Sequence, residues 1–143
     1  MLLRLTLLSI FILTLLPIST TVLAQSSDEA VIPVVNFYYP KNAYRFKVSE
    51  EIQSYINRLK EVIREDETAS IKLLGYANDG SNEEWNTRVS KYRVRALRDI
   101  LIANGIAKSK IEIEYFGKKS PIAKDDSNKE LAKNRRVELR VDS

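Results

Sequence analysis

The 143-residue sequence contains no cysteine and no histidine, and only four glycines and four prolines. Without cysteine there are no disulfides, thiol nucleophiles or thiolate metal sites. A bacterial lipid anchor also needs a cysteine at the cleavage point, where Gln25 stands instead. Without histidine the commonest general base and metal ligand is absent. Gly75, Gly80, Gly105 and Gly117 form no phosphate-cradling loop of the GxGxxG or GxxxxGK kind. A carboxylate pair such as Asp79 with Glu83 or Glu84 is the residue type that cleaves glycosidic bonds, but a helix start already accounts for these acids. No catalytic residue, metal or cofactor is therefore expected.

The long apolar run is confined to the start. A basic residue at Arg4, an apolar stretch over 5–16, a break at Pro17 and small residues before Gln25 predict a signal peptide over 1–24. The run over 2–23 approaches the roughly 20 residues that span a bilayer, but Thr6, Ser9, Thr14 and Pro17 dilute it. No stable membrane anchor is expected once the leader is cut. The formal charge of +4 becomes +3 when Arg4 leaves. This mild, dispersed excess suits anionic wall surfaces and does not point to nucleic acid.

The rest reads as one domain over 34–143, preceded by a flexible segment over 25–33. Val35, Phe37 and Tyr39 alternate within a strand over 31–39, ended by Pro40. Ser49 caps a helix with Ile52, Tyr55, Ile56, Leu59 and Ile63 on one side. A nearly continuous apolar strand over 71–77 is expected to be central and covered on both faces. Ser81 and Glu84 match a capping box opening a second helix that stops at Asn104-Gly105. Ile111, Ile113 and Tyr115 mark a third strand, and Val137, Leu139 and Val141 a last one. Between them lies a polar segment over 123–134, with a helical turn at 130–133. Two strand–helix–strand units with right-handed crossovers give an α+β fold, one sheet with both helices on one face.

One charge is out of place. At about 100° per residue, Trp85, Val89, Ala96, Leu97 and Ile100 share an arc of the second helix, and Arg93 falls inside it. Arg88, Lys91, Arg95 and Arg98 lie opposite. An arginine in an apolar arc must find a partner or line an opening. Its structural alternatives are a helix end or Glu138 across the core.

Several motifs stand in order: Gly75-Tyr76-Ala77-Asn78, then Asn86, Val89-Ser90 and Arg93, then Asn104-Gly105-Ile106. Gly117, Ser120-Pro121-Ile122 and Asn134-Arg135-Arg136-Val137-Glu138 follow. The chain over 34–141 thereby resembles the OmpA-like peptidoglycan-binding domains of outer-membrane porins, Pal lipoproteins and flagellar stator proteins. The resemblance implies a βαβαββ sandwich with a mixed sheet. It also implies a site in which an aspartate after the second strand takes the ammonium of diaminopimelate, and an arginine fifteen residues later takes its carboxylate. Arg93 matches that arginine. Asn78 stands at the aspartate, and Asp79 beside it can supply the charge if the turn is re-aimed. Phe37-Tyr38-Tyr39-Pro40 and Glu130-Leu131 also depart from the usual pattern.

The expected ligand residues are Asn78, Asp79, Asn86, Arg93, Arg135 and Arg136, with peptidoglycan as partner in the periplasm, near the outer membrane or wall. Asn78 also reads as a turn residue, and Asn86 as an orienter of that turn. Of Arg135 and Arg136, one is expected to pack its stem on the sheet and the other to be solvated. Tyr38, Tyr39, Tyr44 and Phe46 read either as a sugar or partner platform or as cover for a sheet edge. The alternative to wall binding is a degenerate OmpA-like interaction module in a secretion, conjugation or motility complex of the envelope.

Overall fold

The structure is a computed structural model that describes residues 32–123 and 127–143, the Asn128 side chain excepted. The expected leader, most of the following tail and residues 124–126 lie outside the described residues. Four strands and three helices follow one another: β1 (Val35–Tyr38), α1 (Glu50–Glu65), β2 (Ser70–Gly75), α2 (Glu83–Ala103), β3 (Ile111–Tyr115), α3 (Asn128–Lys133) and β4 (Arg136–Asp142). The sheet order is β1-β4-β2-β3. β2 and β3 are parallel neighbours joined by α2, whereas β4 runs antiparallel to both β1 and β2 and lies between them. The sheet is mixed, as expected.

Register puts the alternating apolar residues on one face. Leu73 lies opposite both Leu139 and Ile113, and Phe37 opposite Val137. Leu73, Leu139, Phe37 and Val137 join Ile56 and Leu59 of α1 and Val94, Leu97 and Leu101 of α2 in one buried cluster, with Ile113 packed half-buried against it. β1 is shorter than expected, because Pro40 and the chain entry at Pro33 leave only four residues paired.

β2 is central, and on its other face, among the described residues, long charged side chains supply cover. Lys72 reaches Glu114 at 2.6 Å and Glu112 at 4.0 Å, and Glu138 holds Arg136 and Arg140, each at 2.6 Å. Leu74 sits between Glu138 and Glu114 in register and is buried beneath these long side chains. Burial pushes the Glu138 carboxyl up, but hydrogen bonds from Arg140 and Arg136 outweigh it and hold the group below its ordinary value. A carboxyl depressed in the folded state adds stability above its unfolded value, and that contribution is lost as pH falls through the folded value. Glu138→Gln should therefore flatten the loss of thermal stability below about pH 4.5. An unchanged acid slope would show that the ladder contributes nothing.

Helix ends follow local chemistry. Ser49 caps α1 as expected, accepting from the Ile52 N–H. α2 is capped by Asn82 rather than Ser81: its Oδ1 accepts from the Trp85 N–H at 2.8 Å. The cause is Asn86, whose Nδ2 donates to the carbonyls of Gly80 and Asn82 and draws the chain in at that point. At the other end Gly105 (φ +93°) donates to Ile102 O and Ile106 to Leu101 O, the paired bonds of a Schellman stop.

The wheel of α2 needs one correction. Trp85 is exposed, and Ala96 and Ile100 are half-buried. Asn86 and Ser90 are fully buried, so the inward arc is centred on polar residues that hydrophobicity does not count. That shifts Trp85 beyond the arc's rim.

Candidate functional site

The site is built where β2 ends and α2 begins. Gly75 lets the two elements nearly touch, since a Cβ there would lie 2.6 Å from Val94 Cγ1 and 2.7 Å from the Ser90 carbonyl. The chain then turns over Asn86, which is fully buried and whose Oδ1 accepts from the Asp79 N–H at 2.7 Å. This aims the Asp79 side chain inward, leaving Asn78 half-buried at the rim.

Arg93 is 0 % exposed and Asp79 5 %, so the misplaced charge is wholly internal. Its Nη2 donates to Asp79 Oδ1 at 3.0 Å and to Pro40 O at 3.2 Å. Nε donates to Ala43 O at 2.8 Å, and Nη1 to Tyr76 O at 3.3 Å. Nη1 also lies 2.9 Å from Asp79 Oδ2, an ion-pair contact without hydrogen-bond alignment, so Oδ2 accepts no hydrogen bond. The Asn42 N–H closes on Asp79 Oδ1 from the loop after β1. Burial pushes the Arg93 pKa down while Asp79 counters it, and an arginine stays charged at neutral pH regardless. The Arg93 guanidinium also lies 5.0 Å over the Tyr39 ring.

Arg93 thus has a partner other than a helix end or Glu138, and every guanidinium nitrogen is engaged within the chain. Asp79 does carry the charge missing at position 78, but aims it at Arg93. Asn78 makes no side-chain hydrogen bond with the described residues. Asn86 orients the turn, as one of its two readings held.

The two closing arginines part company. Arg136 is buried on the outer face, bonded to Glu138 with its guanidinium 3.9 Å over the Tyr76 ring, so a ligand does not reach it here. It is the arginine that packs on the sheet. Arg135 is half-buried rather than solvated and donates only through Nε, to Tyr39 O at 3.2 Å. It stands close enough to Arg93 for its charge to depress that group. Arg93 and Arg135 therefore flank Tyr39, while Arg136 faces elsewhere.

Residues 38–135 match the OmpA family. The chain belongs to the OmpA family. Among relatives, this OmpA-family chain is 26 % identical over 117 residues to the peptidoglycan-associated lipoprotein of Pseudomonas aeruginosa, covering 80 % of the chain and 67 % of that protein. It is 31 % identical over 86 residues to the peptidoglycan-binding protein ArfA of Mycobacterium tuberculosis, covering 60 % of the chain and 26 % of ArfA. Among solved structures, the peptidoglycan-associated lipoprotein of Burkholderia pseudomallei superposes with a TM-score of 0.68 at 20 % identity, over 75 % of this chain and 89 % of that one. The C-terminal domain of Helicobacter pylori MotB gives 0.62 at 23 % identity, over 76 % and 84 %. These two likenesses establish the OmpA-like fold.

Two features of this OmpA-family site escaped the sequence reading. The Asp79–Arg93 pair had a visible signal, an acid in the turn beside a charge on a buried arc. The other is Asn134, whose Oδ1 accepts from the N–H groups of Ile122 and Ala123 and whose Nδ2 donates to Ala123 O, pinning the loop before α3. Among the described residues no helix is long and apolar enough to cross a membrane, and no group of acids could hold a metal ion.

Proposed function

We propose that the chain is a non-enzymatic module, exported to the periplasm by the leader over 1–24, that binds the stem peptide of peptidoglycan non-covalently. The observation that carries this is Asn78, half-buried at the rim of the turn after β2 with no side-chain hydrogen bond among the described residues, beside the buried Asp79 carboxylate. The Asn78 side-chain carbonyl at that rim suits an ammonium, the group a diaminopimelate side chain presents. Its carboxylate goes to Arg135, whose terminal nitrogens make no hydrogen bond among the described residues, while Arg93 and Asn86 hold Asp79 in position. Relatives named for peptidoglycan association or binding support the reading.

Replacing the family's aspartate by Asn78 exchanges a charge-assisted bond for a neutral one, a loss of about 1–2 kcal/mol. Asn78→Asp should accordingly tighten sedimentation with purified sacculi about ten- to thirtyfold, and Arg135→Ala should weaken it by a similar factor. Neither change should move the unfolding midpoint much, since neither side chain is fully buried.

The full internal engagement of Arg93 favours a second reading, an interaction module of a secretion, conjugation or motility complex that no longer binds the wall. If the wild type stays in the supernatant at every concentration and Asn78→Asp brings it down with sacculi, this second reading replaces the first.

A further inference from the structure

An aromatic basin of about 540 Å³ includes Tyr44, Arg45, Tyr92, Arg95, Asp99 and Ile100. Tyr44 is 46 % exposed and Tyr92 42 %, and their rings lie 5.7 Å apart, tilted at 52°. Two large rings left open to water side by side are not needed by the core, whose cluster they do not join. Arg45 lies 6.0 Å over the Tyr44 ring, and neither Arg45 nor Arg95 has an ion-pair partner among the described residues. The basin is therefore an apolar floor edged by two cations without ion-pair partners, its one acid, Asp99, being held by Arg98.

Its position is set by two peptide bonds. Tyr44 follows Ala43, whose carbonyl accepts from Arg93, and Tyr92 precedes Arg93 itself. Both tyrosines are thus one residue away in the chain from a group of the Arg93 clamp. We propose that the Tyr44–Tyr92 platform is a subsite for the glycan strand of peptidoglycan, with the pyranose faces resting on the rings. The proposal rests on the stem-peptide reading and extends it. A sugar ring offers a C–H face that suits a tyrosine plane, and the tyrosine hydroxyls remain at the wet edge for its polar groups. Arg45 and Arg95 match the anionic character of a wall polymer rich in carboxylates.

Glycan strands stripped of their stem peptides by an amidase, and stem peptides free of sugar, separate the two subsites. Stripped strands should shift the backbone amide resonances of Tyr44, Tyr92 and Arg95 saturably. Tyr44→Ala with Tyr92→Ala should abolish those shifts and weaken sacculus binding about tenfold, leaving affinity for free stem peptide unchanged. Both side chains are exposed, and an unaltered unfolding midpoint checks that the double variant folds. The proposal is overturned if stripped strands leave these resonances unmoved, as they would if a protein occupied the platform, or if the double variant sediments like wild type. If stripped strands bind at the platform while free stem peptide binds nowhere, the stem-peptide reading falls and the glycan subsite stands.

Discussion

Arg93→Ala should cost about 3–5 kcal/mol of stability, because it leaves the Asp79 carboxylate buried without its counter-charge. Against a total of roughly 5–15 kcal/mol, that is enough to bring the domain near unfolding. At about 4 °C per kcal/mol for a domain of this size, the midpoint should drop by on the order of 12 °C or more. The loss has two parts that a second substitution separates. Adding Asp79→Ala removes the stranded charge and should recover part of the midpoint. The carbonyls of Pro40, Ala43 and Tyr76 still lose their donors, so recovery is incomplete. Arg93→Lys should not rescue, since one ammonium cannot serve three carbonyls and a carboxylate in the directions the planar fork supplies. If Arg93→Ala melts like wild type, the clamp is not what holds the loop after β1 to α2.

Gly75→Ala is the second severe change. The added methyl would meet Val94 Cγ1 at 2.6 Å and the Ser90 backbone carbonyl at 2.7 Å. The Val94 methyl can rotate away only into a fully buried cluster, and a helix carbonyl cannot yield without moving α2. Overpacking of this kind costs about 1–3 kcal/mol, and the backbone contact puts this case at the upper end. Displacing α2 also moves Arg93 and Asn86, so the Asp79 turn should loosen with it. Gly80→Ala is the matched control: nothing lies within 4 Å of its Cβ position, and its effect should stay within about 0.5 kcal/mol. Urea midpoints of the two variants make the comparison, and equal midpoints would mean the β2–α2 approach is not tight.

Most of the architecture was legible because it depends on period and punctuation. Alternation in Ile111-Glu112-Ile113 and in Val137-Glu138-Leu139 set which side chains enter the core, and the register keeps those positions on one face. Ser49 and Asn104-Gly105 act within one turn of their own position, so local chemistry located those helix ends. The cap of α2 was missed by one residue because Asn86 overrides the local preference from four residues away. Trp85 was misplaced because buried polar residues pull the arc of α2 away from its apolar average.

The sequence by itself determined that this chain is an α+β OmpA-family domain and that Arg93 is a charge on an inward face. The fold class and the inward charge need only the periods of helix and strand, and the family needs the ordered motifs that match it. Tertiary structure alone decided the partners: Asp79 rather than Glu138 for Arg93, Glu138 for Arg136, and Tyr44 beside Tyr92. Partner choice depends on which of several acids lies within about 3 Å after folding. That distance is set by the close approach at Gly75 and by the turn over Asn86, and neither leaves a periodic mark in the sequence.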